Sequence, residues 1–291
     1  MTRVGVGLRL VVQGLAFAAM VPPQLLAMRF GWPLAGWLPV LFHRLFLRLF
    51  GIRVEVEGAL DRTGSTLVLS NHVSWLDIPV LGSLAPVSFV AKSEIAGWPV
   101  IGLFARLQRS VFIERARKSH TSKVNTLVAK RLLGGDVVVL FPEGTTSDGN
   151  RVLPFRAALV GAARAALSES GASRIQLQPV AIAYVRRNGL PVTRRERPEI
   201  AWYGDMDLLP HLGGILRGGP IDVRVVWGEP IPVEPGTDRK RATASAEAAV
   251  REALRGAPGA TSPPSRGAGR PPAAQKDNPE GIPVLSATQS A

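Results

Sequence analysis

Apolar and polar positions divide the chain into two regimes. From Leu10 to Met28 no charged residue occurs, a run long enough to span a bilayer at about 1.5 Å per residue. Pro22-Pro23 interrupts it, so a kinked span or a re-entrant hairpin is as open there as a straight helix. A second apolar stretch, Phe30 to Phe42, leads into Arg44-Leu45-Phe46-Leu47-Arg48-Leu49-Phe50, whose arginines lie four apart on one helical face. From Gly51 onward short apolar runs alternate with helical patterns, which predicts an α/β domain. Strands are expected at Arg53 to Val56, Leu67 to Leu69, Val87 to Ala91, Val111 to Ile113, Val137 to Phe141, Leu177 to Ala183 and Val223 to Trp227. Helices are expected at Ile78 to Leu84, Pro99 to Leu107, Val124 to Leu133 and Phe155 to Leu167. An alanine-rich helix, Ala242 to Leu254, closes the fold. From residue 256 to 291 Pro, Gly, Ala and Ser dominate, a composition that predicts disorder. The expected organisation is therefore 1–50 membrane-associated helices, 51–255 a globular domain and 256–291 a tail.

Charge sharpens the picture of the first fifty residues, which carry five arginines and no acid. That pattern suits an anionic membrane surface, with the N-terminus in the cytoplasm if the segment inserts. A cleaved signal peptide fits less well, because the apolar stretch runs on through the small residues where cleavage would fall. A buried helix of a soluble fold is the other alternative. Over all 291 residues the formal charge is +13 and hydrophobic residues make up 46%. Anionic partners follow from the charge, and the hydrophobic content favours lipid over nucleic acid. With only two tyrosines there is no basic and aromatic platform for stacking bases. The absence of cysteine rules out disulfides, thiolate metal sites and a thiol nucleophile.

Four stretches could carry chemistry. The first is Ser70-Asn71-His72-Val73-Ser74-Trp75-Leu76-Asp77, placed between an expected buried strand and a helix start. On one continuous helix Asp77 would be turned roughly 140° from His72, so the two can meet only across a bend. Alternatively, Ser74-x-x-Asp77 is a capping box and His72 an ordinary strand-end residue. The second is Phe141-Pro142-Glu143-Gly144-Thr145-Thr146-Ser147, where a buried strand ends on a glycine turn with backbone and hydroxyl donors, a cradle for an anion or simply a turn. Third, Ser110 to Arg115 is a strand ending on a cation suited to phosphate, or to a salt bridge with Glu114. Fourth, Pro179 within Gln176 to Ile182 suggests an edge strand or a pocket rim.

Taken together and in this order, the four resemble the glycerolipid acyltransferases, the family that includes 1-acylglycerol-3-phosphate acyltransferase. Asn71, His72 and Asp77 match its Asn-His-x-x-x-x-Asp block, and Phe141 to Thr145 its Phe-Pro-Glu-Gly-Thr block. Phe112-Ile113-x-Arg115 is similar to the substrate-binding block and Pro179-Val180 to the last block, so the resemblance covers roughly residues 51 to 235. One position departs from it: the family often has glycine six residues before the block's arginine, where this chain has Arg109. The stretch Trp202 to Asp207 is similar to a bacterial branch whose acceptors include lyso-ornithine lipid.

The resemblance implies a mixed β-sheet flanked by helices, with an apolar helical segment in front of an acyltransferase domain. It implies transfer of a fatty acyl group from acyl carrier protein or coenzyme A to a lysolipid hydroxyl, with no other cofactor and no metal. His72 would be the general base, suited by an imidazole pKa near 6.5, and Asp77 would orient it. Asn71, Arg115, Phe141, Pro142, Glu143, Gly144, Thr145 and Pro179 would surround the substrate. By family frequency the default acceptor is 1-acyl-sn-glycerol-3-phosphate, and lyso-ornithine lipid is the alternative. The expected location is the inner membrane with the site facing the cytoplasm. A lipid serine hydrolase using Ser70 or Ser74 lacks any Gly-x-Ser-x-Gly elbow. Four scattered histidines offer no metal-binding run. The non-enzyme alternative is a basic membrane-surface module adhering through Arg186-Arg187, Arg194-Arg195-Arg197 and Arg239-Lys240-Arg241.

Overall fold

The computed structural model describes residues 3–113, 120–161, 163, 167 and 174–256. Helix α1 (Arg3–Phe30) runs without a break through Pro22 and Pro23, whose missing N–H groups sit in an otherwise continuous apolar helix. The chain reverses at Gly31, which has φ +67°, and α2 (Leu34–Phe50) returns alongside. Phe17 packs against Phe42 with tilted rings, and Gln24 Nε2 donates to the Ala35 carbonyl, so the two helices form an antiparallel hairpin. Of the alternatives open at the double proline the uninterrupted helix is the one formed, and the chain turns back only at Gly31, about two helical turns later, where glycine permits the left-handed backbone. Of the two arginines on the face of α2, Arg44 donates through Nε to the Ser83 carbonyl and ties α2 to the next helix.

The remaining elements build a nine-stranded mixed sheet with helices on both faces. In chain order they are β1 (Ile52–Glu57), β2 (Thr66–Ser70), α3 (Asp77–Leu84), β3 (Val87–Lys92), α4 (Pro99–Leu107), β4 (Val111–Ile113), α5 (His120–Leu133), β5 (Val137–Leu140), β6 (Ile175–Arg187), β7 (Leu190–Pro191), a single turn α6 (Arg197–Ile200), α7 (Leu208–Arg217), β8 (Ile221–Trp227), β9 (Ile231–Val233) and α8 (Arg239–Arg255). Spatial order is β1-β8-β6-β2-β5-β3-β4, with β7 and β9 also paired to β6. β2, β3, β4, β5 and β6 are linked by parallel pairings, and β8 runs antiparallel to β6.

Alternate residues of the central strands enter two cores. Val68 and Val139 face a layer containing Leu47 and Phe50 of α2 and Val80 and Leu81 of α3. Leu67, Leu69, Val138 and Leu140 face Val128 and Leu132 of α5 and Ala246 and Val250 of α8. This is the period-two alternation of a strand covered on both faces, which is why these runs are uniformly apolar. Helix α8 starts at Asp238, whose carboxylate accepts from the Lys240 and Arg241 amides.

Three expectations change. Pro179 does not mark an edge, because β6 lies between β2 and the β8 and β9 strands. Its carbonyl accepts from Gly228 in the gap between β8 and β9, so its missing N–H falls where no strand partner requires it. The helix expected from Phe155 begins as a 3-10 turn at Ala157–Val160, and most of its remainder lies outside the described residues, as does the expected disordered tail from 257. Helix α7 was not anticipated, since Pro210, Gly213 and Gly214 mask its periodicity. Arg109, standing where the resembling family often has glycine, adopts φ +59° and is held by an ion pair of 2.7 Å to Asp136. The backbone conformation a glycine would favour is kept, with a salt bridge in place of conformational freedom.

Candidate active site

β2 and β5 are parallel neighbours with Leu69 opposite Leu140, so their C-terminal ends emerge side by side and deliver two polar loops to one sheet edge, where parallel sheets place their sites. β6 borders β2 on the other side. Its pairing with β2 ends at Val180, and residues 181–187 overhang as a wall beyond the strand end.

On the first loop, His72 Nδ1 lies 2.7 Å from Asp77 Oδ2. Residues 72–76 form the bend that the five-residue spacing demanded, and α3 starts only at Asp77. The same Oδ2 accepts from the Val73 and Ser74 amides at 2.8 and 3.1 Å, which is half of the capping-box pattern. Capping and histidine orientation therefore use one carboxylate. Its other oxygen, Oδ1, accepts from the Tyr184 hydroxyl at 2.6 Å. Asp77 is fully buried, whereas the His72 side chain is 19% exposed. With Nδ1 committed to a carboxylate, the neutral ring carries its proton there and leaves a lone pair on Nε2. Among the described residues nothing hydrogen-bonds to that nitrogen. The imidazole is stacked on Phe141, with centroids 3.9 Å apart and planes 13° from parallel.

Asn71 turns its amide toward the sheet: Nδ2 donates to the Ile182 carbonyl at 3.0 Å, and Oδ1 accepts from the Ile182 amide at 2.8 Å. Its side chain thus extends the β2 ladder by one more pairing with β6. The loop is braced from outside by Ser147 N–H donating to the His72 carbonyl and by Trp202 N–H donating to the Val73 carbonyl, both at 2.9 Å. Trp202 to Asp207, without a derivable role in the sequence, begins with this brace, and Trp202 Nε1 closes the segment on the Met206 carbonyl.

On the second loop, Phe141, Pro142, Glu143 and Gly144 are buried and Thr145 is exposed. Glu143 Oε1 accepts from the His72 amide at 3.2 Å, while Oε2 is buried without a well-formed hydrogen bond. Burial pushes its carboxyl up to about 8; the backbone amides of His72 and Leu153 hold it down in part, and the Asp77 charge raises it further. At neutral pH Glu143 is mainly a neutral acid, which removes the repulsion a carboxylate would exert on an anionic ligand. Gly144 has φ +76°, and a Cβ there would lie 3.1 Å from the Arg156 guanidinium carbon. Arg156, which the sequence did not single out, therefore sits directly on the Glu143-Gly144 turn, with its amide bonded to the Pro142 carbonyl.

The structure thus brings His72, Asp77, Phe141, Glu143 and Gly144 together, and turns Asn71 and Pro179 toward strand pairing. Arg115 lies outside the described residues. Tyr184 and Arg156 are additions. Tyr184 is embedded in an apolar strand with no motif around it, and Arg156 becomes visible only through its packing on Gly144. Among the described residues no group of three His, Asp or Glu side chains is gathered as a metal site would require. What the pair offers is a buried carboxylate, an oriented imidazole and one accessible basic nitrogen, the equipment for taking a proton from a hydroxyl.

The family model described as Acyltransferase matches residues 51–183, the stretch that holds both loops, and with the relatives that follow it shows that the chain belongs to the acyltransferase family. It is 52% identical over 225 residues to the lyso-ornithine lipid O-acyltransferase of Brucella abortus (strain 2308), covering 76% of this chain and 84% of that one. To the lyso-ornithine lipid O-acyltransferase of Rhizobium meliloti (strain 1021) it is 44% identical over 235 residues, covering 81% and 80%. To the 1-acyl-sn-glycerol-3-phosphate acyltransferase of Neisseria meningitidis serogroup B (strain ATCC BAA-335 / MC58) it is 36% identical over 180 residues, covering 62% and 66%. The chain is an O-acyltransferase of the lysolipid type, as its motifs implied.

Proposed function

We propose that this enzyme moves a fatty acyl group from a thioester to the hydroxyl of lyso-ornithine lipid. The observation that carries the choice of acceptor is the 52% identity over 225 residues to an enzyme of that name, against 36% over 180 residues to an enzyme named for 1-acyl-sn-glycerol-3-phosphate. An ornithine headgroup has no phosphate, so this reading replaces the default acceptor suggested by family frequency.

His72 Nε2 accepts the acceptor's hydroxyl proton as the oxygen attacks the thioester carbonyl. The imidazolium formed is stabilised by Asp77 through Nδ1. Collapse of the tetrahedral intermediate breaks the C–S bond, and the imidazolium returns its proton to the departing thiolate. No acyl-enzyme is needed, because the nucleophile belongs to the substrate. Phe141 walls the imidazole on one face. Glu143, held as a neutral acid, organises the loop through the His72 amide, and Thr145 and Arg156, on the turn after β5, stand at the anionic part of the headgroup. The donor is a thioester of acyl carrier protein or coenzyme A.

We place the chain at the cytoplasmic face of the inner membrane. In support, α1 is long and apolar enough to cross a bilayer over Gly5–Phe30, and Arg3 and Arg9 precede its longest uncharged run.

The test is acyl transfer by membranes carrying the protein, with lyso-ornithine lipid and 1-acyl-sn-glycerol-3-phosphate supplied separately and the His72→Ala protein as control. Transfer to the ornithine lipid, lost in His72→Ala, is expected. Transfer only to the phosphate acceptor would overturn the choice of substrate, and turnover above a few per cent in His72→Ala would remove His72 from the base role.

A further inference from the structure

We propose that Tyr184 is a positioning residue for acyl transfer, whose hydroxyl holds the Asp77 carboxylate in the orientation that aligns the His72 imidazole. The inference rests on the reading of His72 as the base. The two oxygens of Asp77 are held from different elements. Oδ2 gathers the imidazole Nδ1 and the Val73 and Ser74 amides, all from the loop that the aspartate itself terminates. Oδ1 takes the Tyr184 hydroxyl from β6, at 2.6 Å, and among the described residues no other donor reaches it. A carboxylate held at one oxygen can still swing about its χ2 torsion, which is broad and soft. Held at both, it has one orientation.

Tyr184 is suited to the task by where it stands. It is buried, and two residues earlier in β6 Ile182 is paired on both backbone groups with Asn71, at the root of the catalytic loop. The phenol is thus set by the sheet and not by the loop it steadies. Burial and the Asp77 charge hold its ionisation well above the ordinary range, so it remains a donor. It donates away its one proton to Asp77, which leaves it no catalytic step of its own.

The experiment compares Tyr184→Phe with wild type in the full-length enzyme, by kcat, by KM for acceptor and donor, by melting temperature and by the pH profile of kcat/KM. The phenylalanine keeps the ring packing and deletes only the hydroxyl. The titratable groups set against the His72–Asp77 pair are Tyr184 from β6 and Glu143 from the turn after β5, with Arg251 of α8 acting on Glu143. Loss of the phenol concentrates the Asp77 charge toward the imidazole, so the acid limb of the profile moves to higher pH. Expected with it is a fall in kcat of roughly tenfold or more, the size of a lost hydrogen bond to a charged group, with both KM values within about twofold of wild type. An unmoved profile with unchanged kcat, or a rise in KM alone, overturns the proposal. If Tyr184→Phe is too unstable to assay, 3-fluorotyrosine incorporated in a Tyr203→Phe background keeps the bond and strengthens the donor, and the acid limb must then move to lower pH. A readout without substrate separates this proposal from the acyl-transfer reading: the low-field proton resonance of His72 Nδ1–H, assigned by its loss in His72→Gln, shifts in Tyr184→Phe. If it does not shift, Tyr184 has no hold on the pair, whatever the substrate proves to be.

Discussion

His72 and Asp77 meet at 2.7 Å because their five-residue separation is spent on a loop and not on a helix. Glu143, next to them, answers an electrostatic difficulty. A carboxylate beside an anionic group would be repulsive, and burial avoids this by holding the proton on, with the carboxyl pushed up to about 8 from 4.5. Between those values the folded chain keeps a proton that the unfolded chain has released. The stabilising contribution is therefore complete below pH 4.5, shrinks as pH rises through the window and is gone above pH 8, a span of roughly a few kcal/mol. Glu143→Gln removes the titration. Its melting temperature is expected to fall less than that of wild type between pH 5 and 8, and parallel curves would show that Glu143 titrates normally.

At the scale of elements, the decisive junction is between β2 and the overhanging half of β6. Asn71 bridges it with two hydrogen bonds to the Ile182 backbone, and Tyr184 reaches Asp77 from the strand so positioned. Asn71→Ala would leave a buried amide and carbonyl without their partner, a loss of about 2–4 kcal/mol for the two groups. We expect this as a lower unfolding midpoint in denaturant, with the acceptor KM little changed. An unchanged midpoint together with a large rise in KM would instead assign Asn71 to the substrate. The strand's proline is compatible with this central place because Pro179 faces the gap between β8 and β9.

Across the whole molecule, apolar surface is concentrated on three helices. α1 exposes Leu8, Leu10, Val11, Val12, Leu15, Leu25 and Leu26, α2 exposes Leu34, Trp37 and Leu41, and α4 adds Val100 and Ile101, with Trp98 just before it. Phe104 of α4 packs against Phe17 and Phe42, so the three helices form one cluster. An exposed apolar surface of this extent marks an interaction site, and attachment by burial of apolar side chains is insensitive to salt, unlike attachment by arginines. The protein is expected to remain with membranes through a high-salt wash. Leu15→Asp combined with Leu26→Asp should release a substantial fraction to the supernatant. Release of the wild type by salt would mean that its basic side chains hold it.

The amino-acid sequence by itself determined the two regimes of the chain, most of the central strands and the helices that cover them. It did so because strands buried on both faces must be apolar runs, and a helix long enough to cross a bilayer must lack charge. The two polar blocks were legible for the same reason: polar residues at the end of a buried strand are conspicuous. Tertiary structure alone decided that Asn71 pairs with a strand 111 residues away, that β6 is central, that Trp202 braces the His72 loop, that Tyr184 meets Asp77 and that Arg156 lies on the Gly144 turn. Each of these depends on which strand lies beside which, a long-range pairing that leaves no local pattern in the residues it joins. A tyrosine inside an apolar strand looks the same whether its hydroxyl meets water or the one carboxylate on which the site turns.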